Sequence, residues 1–342
     1  MKHVAILGGG SWGTALACLI GKRRRPVRLW VRRAALAQAI NRDRRNAGYL
    51  PSCVLPQEVA ATSDVKEALD GACCVFLVVP SHGLREVLRS AGPHFPERVP
   101  VVSATKGIEN STLMLVSEIV ADSLADFDSR RLCVIGGPSF AREVANGVPT
   151  AICLAGLDPD PLDQVQRLLT SDRFRVYTSD DVVGVEVGGA LKNVIAIAVG
   201  AADGLGFGHN SRAALITRGI AEITRLARHL GANPLTLAGL SGVGDLVLTC
   251  TGDLSRNRTL GYQLGRGRRL AELLANTSMV AEGVRTASSA HELASKNRVE
   301  MPIVTEVYEV LYEGKTPLAA VDALTHRASR PERDSHYPVR RL

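Results

Sequence analysis

The sequence predicts an α/β protein: a doubly wound, parallel sheet followed by an all-helical C-terminal domain. Short β-branched runs alternate with helix-like stretches over the first half of the chain, the pattern of strands joined by helical crossovers. A glycine-rich turn follows the first such run. After about residue 181 strand signals nearly vanish and helical patterns take over. The 342-residue length is also long for a single core.

The strand candidates run in order: His3 to Leu7, Val27 to Val31, Cys73 to Val79, Val99 to Ala104, Arg131 to Ile135, Thr150 to Leu154 and Phe174 to Thr178. Several are apolar almost throughout, as strands covered on both faces are. Helices are expected at Val182 to Ala202, Ser211 to His229, Arg256 to Gly265, Val284 to Ser295 and Ile303 to Tyr312. From Arg330 the chain carries two prolines and six charged residues, a loose-tail composition.

Composition bounds the function. A hydrophobic fraction of 46% with 22% charged residues excludes a disordered chain. A net charge of +7 favours anionic partners. Only 4% of residues are aromatic, and no helix-turn-helix or zinc finger is found, which argues against nucleic acid. The four-residue apolar run before Gly8 is too short for an export signal. No stretch is read as the roughly 18 to 20 apolar residues that span a bilayer, so a cytoplasmic protein is expected. Seven cysteines at irregular spacing read as buried, reduced thiols, and no metal ligands pair up.

Gly8-Gly9-Gly10-Ser11-Trp12-Gly13 fits G-x-G-x-x-G between a strand and a helix. In this setting Gly8 permits the tight turn, Gly10 lets a pyrophosphate approach the backbone, and Gly13 lets helix and strand pack closely. The first domain is therefore Rossmann-like, and its helix N-terminus faces the phosphates. The second strand ends in Arg32-Arg33 without an acid. Arginines suit a 2′-phosphate, and a carboxylate would repel one. NADP(H) is favoured on this ground and NAD(H) stays open, since both arginines also fit a solvated strand end.

Three loops leave strand ends with polar cargo: Val79 to His82, Ala104 to Gly107, and Gly136 to Ala141. Lys106 lies where a substrate oxygen would bind, or is a surface lysine. His82 is set aside as a lone loop histidine. Lys192 and Asn193 are the only polar side chains between Val187 and Ala202. A lysine in a helix apolar all round is costly unless used or paired. Gly188 and Ala196 are read as leaving ligand space beside it. Burial would lower its pKa toward proton-transfer range; a structural ion pair between the domains is the alternative. Gly242-Val243-Gly244-Asp245, Thr249, and Ser255-Arg256-Asn257 follow. Ser255 reads as an N-cap, and the helix it starts as a second anion site or a capped surface helix.

In number and order these motifs resemble the bacterial NAD(P)-dependent sn-glycerol-3-phosphate dehydrogenases. The match includes Ser11 to Ala15, Asn46 to Pro51, Val79 to His82, Ala104 to Glu109, Gly137 to Glu143, Leu191-Lys192-Asn193, Gly242 to Leu246, Ser255 to Asn257 and Val280 to Gly283, and it ends near Leu324. Ser52 stands where the family often has glycine. The resemblance implies reversible reduction of dihydroxyacetone phosphate to sn-glycerol 3-phosphate, a precursor of phospholipids. It implies that Lys192 is the acid/base, with Lys106 and Asp245 assisting. Lys106, Gly137, Ser139, Lys192, Asp245, Thr249, Ser255, Arg256 and Asn257 would contact substrate. Gly8, Gly10, Ser11, Trp12, Gly13, Arg32, Arg33, Tyr49, Lys106, Ala141, Arg256, Val280 and Glu282 would contact cofactor. The expected division is 1–182 for dinucleotide, 183–328 for substrate and catalysis, and 329–342 for a basic tail. No metal is implied, and a homodimer is compatible. The rival readings are a dehydrogenase of 6-phosphogluconate or of a 3-hydroxy acid, and a non-catalytic NADPH sensor.

Overall fold

A computed structural model of the chain describes residues 2–275, 282–329 and 331–332. Eight strands form one sheet in the order β3-β2-β1-β4-β5-β6-β7-β8. They are β1 (His3–Leu7), β2 (Val27–Trp30), β3 (Val59–Thr62), β4 (Ala72–Leu77), β5 (Val101–Ser103), β6 (Leu132–Gly136), β7 (Thr150–Gly156) and β8 (Phe174–Ser179). The first six are parallel, and the order reverses between β1 and β4. That reversal opens a crevice at the carboxyl ends of the strands, where ligands of such sheets bind.

Two features depart from the sequence reading. The strand β3 was not foreseen, because Val-Ala-Ala-Thr carries a weak strand signal. It is an edge strand, and Asn41 occupies its outward backbone groups: Asn41 Nδ2 donates to Ala61 O at 2.8 Å and Ala61 N donates to Asn41 Oδ1 at 2.7 Å. The strand β7 runs antiparallel to β6, where a wholly parallel sheet was expected. The link 137–149 holds only a five-residue helix, and it turns back at Gly137 (φ +110°). A parallel return would need a full crossover.

In the first half the helices are α1 (Ser11–Gly21), α2 (Ala34–Asp43), α3 (Val65–Leu69), α4 (Ser81–Ala91), α5 (Val116–Ser123), α6 (Ala141–Ala145) and α7 (Pro159–Leu169). Beyond β8 the described residues contain no strand. They form α8 (Val182–Gly204), α9 (His209–His229), α10 (Pro234–Leu237), a π-turn at Leu240–Gly244, α11 (Asp245–Thr251), α12 (Arg256–Gly265), α13 (Leu270–Ala275), α14 (Glu282–Lys296), α15 (Pro302–Tyr312) and α16 (Pro317–Thr325). All five helices read from the sequence are present. One apolar core lies on each sheet face, and a third surrounds α8.

The helix α8 corrects a further expectation. By length and composition both it and the segment Pro234–Thr251 could cross a membrane, but 83% of the apolar window of α8 is buried inside the fold. Its role is that of a central core helix. It meets α12 backbone to backbone: a Cβ on Gly200 would come within 2.0 Å of Arg258 O, and one on Gly261 within 2.1 Å of Ile197 O. Gly204 and Gly265 are equally tight, at 2.3 Å from Tyr262 O and 2.2 Å from Ala201 O. This glycine seam brings the start of α12 beside the middle of α8. All seven cysteines are free, and six of them are buried. Apart from residues 329, 331 and 332, the tail lies outside the described residues.

Candidate functional site

The glycine loop joins β1 to α1 with little room to spare. Gly8 has φ +123°, and a Cβ there would meet Val78 O at 2.4 Å. A Cβ on Gly13 would fall 1.8 Å from Gly8 O. Gly10 differs: a Cβ on it would meet no atom within 4 Å. It is also the N-cap of α1 and offers no capping side chain, and the first turn contains no acid. The N–H groups of that turn are thus left for an anion, in open space. The residues fit a dinucleotide pyrophosphate.

The loop 46–51 closes over this turn. Asn46 Nδ2 donates to Gly9 O and to Thr14 Oγ1, both at 2.8 Å, and Ser11 Oγ donates to Tyr49 O at 2.8 Å. Trp12, Tyr49 and Ala141 are half-buried around it. Arg32 and Arg33 are exposed just past β2, and Arg33 is the N-cap of α2. Burial, then Arg285 and Arg32, push the pKa of His82 down. The rim of the crevice is therefore more cationic than Arg32 and Arg33 alone suggest. Arg285 carried no sequence signal.

Across the crevice the chain builds a buried ionic cluster. Asp245, fully buried, opens α11 just after the π-turn. Lys106 Nζ donates to Asp245 Oδ2 at 2.7 Å, and Lys192 Nζ donates to Asp245 Oδ1. Lys106 follows β5 and turns the chain through Gly107 (φ +136°), against Ser81. Lys192 is 8% exposed, in the centre of α8. Burial is the main cause that lowers its pKa to about 8; Lys106 lowers it further and Asp245 opposes both. Burial works against charge on Lys106 and Asp245 as well. There the attraction wins: Lys106 is held above its ordinary value and Asp245 below. One carboxylate thus serves two ammonium groups, and burial with mutual repulsion leaves Lys192 the weaker held of the two. Glu282, at the start of α14, is raised by burial, against the pull of Arg256, Lys106 and Lys192.

Space beside Lys192 is not where the sequence suggested. Gly188 faces protein, since a Cβ there would meet Ser241 O at 2.4 Å. It lets the π-turn approach α8 and so places Asp245. Gly189 faces the Lys106 side chain, 3.7 Å from a built Cβ.

Ser255 caps α12, its Oγ accepting from Arg258 N at 3.3 Å. Arg256 is exposed at the first position of that helix. Asn257 is buried and lies between Asn193 and Gly283. Gly137 and Ser139 share a turn beyond β6, where Ser139 Oγ donates to Gly137 O at 3.0 Å. The Thr249 hydroxyl donates to Asp245 O at 2.6 Å, so its proton serves the helix. Of the sequence-named residues, the structure gathers Lys106, Lys192, Asp245, Arg256 and Glu282 into one charged group. The glycine loop, Ser11 and Tyr49 form another. Val280 lies outside the described residues. Among the described residues no cluster of metal-ligating side chains occurs.

Two family models match the chain. Residues 3–161 match one described as NAD-dependent glycerol-3-phosphate dehydrogenase N-terminus, and residues 181–322 match its C-terminus counterpart. A Myxococcus xanthus protein named glycerol-3-phosphate dehydrogenase [NAD(P)+] is 51% identical over 96% of this chain and 98% of its own. A Geobacter metallireducens protein of the same name is 52% identical, over 97% and 99%. A crystal structure of glycerol-3-phosphate dehydrogenase from Coxiella burnetii superposes with a TM-score of 0.91. It is 40% identical and covers 95% of this chain and 99% of its own.

Proposed function

The chain belongs to the NAD-dependent glycerol-3-phosphate dehydrogenase family, and on that premise we propose how its residues divide the work. The reaction is the reversible, NAD(P)H-dependent reduction of dihydroxyacetone phosphate to sn-glycerol 3-phosphate. The dinucleotide supplies a hydride to the C2 carbonyl when bound. Residues 1–182 supply most of its contacts, and residues 183–328 supply most of those to the substrate.

Gly8, Gly10 and Gly13 admit the pyrophosphate to the N–H groups of α1. Ser11, Trp12, Tyr49, Ala141 and Glu282 line the rest of its course. Arg32 and Arg33 favour NADPH over NADH, since neither has an acidic neighbour near it in sequence.

Lys192, protonated, donates to the carbonyl oxygen as negative charge develops there. Asp245 holds the ammonium in place and keeps it charged in spite of burial. Lys106 adds positive charge on the same side. Its hold on the other Asp245 oxygen shares the carboxylate, so Lys192 gives up its proton more readily than a lone ion pair would allow. In the oxidative direction neutral Lys192 takes the hydroxyl proton. The N-terminus of α12, with Ser255, Arg256 and Asn257, binds the phosphate away from the reacting carbon, and Gly137, Ser139 and Thr249 complete the wall. Binding energy gained there positions the carbonyl.

The observation that carries this reading is the buried Lys106–Asp245–Lys192 cluster, bridged by one carboxylate. A cytoplasmic homodimer that supplies glycerol phosphate for phospholipids is the setting we infer. The test is oxidation of NADPH and of NADH with dihydroxyacetone phosphate, beside 6-phosphogluconate with NADP⁺. Rapid turnover of dihydroxyacetone phosphate, faster with NADPH, is expected. Faster turnover of 6-phosphogluconate would reject the substrate, and a preference for NADH would reject the role of Arg32 and Arg33.

A further inference from the structure

Asn193 follows Lys192 on α8 and is 5% exposed. Its side-chain oxygen accepts from Asn257 Nδ2 at 3.0 Å. Asn257 is 8% exposed, and its own oxygen accepts the backbone N–H of Gly283 at 3.0 Å. Gly283 is the second residue of α14. A Cβ there would approach both Asn193 O and Asn257 Oδ1 to 2.7 Å. Two neutral amides therefore join α8, α12 and α14 at the point where the catalytic lysine, the capped helix start and Glu282 converge.

The same bonds fix which way each amide faces. Asn257 presents oxygen to an N–H and so presents nitrogen to Asn193, and Asn193 must then present oxygen. Both Asn193 Nδ2 hydrogens and one of Asn257 have no acceptor among the described residues. The Asn193 nitrogen is not among the side-chain atoms shut away without a partner, so these hydrogens stay accessible to a ligand. Beside them lies the N-terminus of α12, with the exposed Arg256. Helix end, guanidinium and unpaired amides all call for an anion.

We propose that Asn193 is a positioning residue: by holding the Asn257 amide in one orientation, it directs that amide's free N–H to the substrate phosphate and ties phosphate binding to the helix of Lys192. This rests on the reading of Ser255 to Asn257 as the phosphate grip.

The test compares dihydroxyacetone phosphate with dihydroxyacetone, which has the same carbonyl and no phosphate. Asn193→Leu keeps the size and removes the hydrogen bond. It should lower kcat/KM for the phosphate ester by about 10- to 100-fold, the worth of one hydrogen bond to a charged group. For dihydroxyacetone the loss should stay below about threefold. Equal loss on both substrates, or no loss on either, overturns the proposal. NADPH affinity checks the fold, and Asn193→Ser serves if the leucine variant does not fold. Arg256→Ala is the control. If it too fails to separate the substrates, the phosphate grip itself is misplaced. If it separates them and Asn193→Leu does not, only the role of Asn193 is lost. Adding Asn193→Leu to Asn257→Leu should cost little more than Asn257→Leu alone, because the amide that Asn193 orients is then already gone.

Discussion

Under the proposed assignment, the two walls of the crevice bind by opposite means. The wall at the glycine loop is made of backbone: unpaired N–H groups, a helix end, and glycines that keep side chains out of the way. The wall on α8 and α11 is made of side chains: one buried carboxylate between two ammonium groups. A backbone site tolerates no added atoms but carries little charge to lose. An ionic site tolerates some reshaping but no loss of a charge, since the partners left behind stay buried and uncompensated.

The contrast predicts how each wall fails. On the ionic wall, Lys192→Ala in a folded protein should cut turnover by roughly 10²- to 10⁴-fold, with cofactor affinity kept. Stopped-flow reduction beside NADPH titration measures both, and near-normal turnover would remove Lys192 from proton transfer. On the backbone wall, Gly13→Ala should weaken NADPH binding by about 10- to 100-fold, because its methyl falls 1.8 Å from Gly8 O and relief requires moving the loop, at about 1–3 kcal/mol. Fluorescence titration decides it; unchanged affinity would mean that the loop is not the pyrophosphate site.

The smallest effect sharpens the ionic half. Burial lowers Lys192 to about 8. Reduction needs the protonated lysine, so kcat/KM for dihydroxyacetone phosphate should fall as pH rises through about 8. Oxidation needs the neutral lysine, so kcat/KM for glycerol 3-phosphate should rise through the same value. Mirror-image profiles near pH 8 are expected, each changing by up to tenfold per pH unit on its falling side. Two profiles of the same slope sign would assign the titration to another group.

The same contrast decides what could be read from sequence. The glycine loop was legible, with a job for each glycine, because its parts lie within six residues and their spacing is dictated by one local turn. Lys192 was legible as an anomaly, one charge in an apolar helix. Its partners were not: Asp245 lies 53 residues from Lys192 and 139 from Lys106, and nothing local reports a contact of that range. Gly188 was misread as room for ligand, because a missing side chain looks the same in sequence whether substrate or backbone fills the gap. The short edge strand β3 and the reversed β7 depend on what packs beside them. Asn193 was seen only as one more polar residue, since its use requires two other helices.

The glycine seam between α8 and α12 has one more consequence. At Gly200, Gly204, Gly261 and Gly265 the two backbones touch, so along this seam no layer of compressible side chains separates α8 from α12. Under the proposed assignment the enzyme is a calliper with locked jaws. On that assignment it would gauge the span between a carbonyl and a phosphate, and a longer sugar phosphate is expected to be refused by its length.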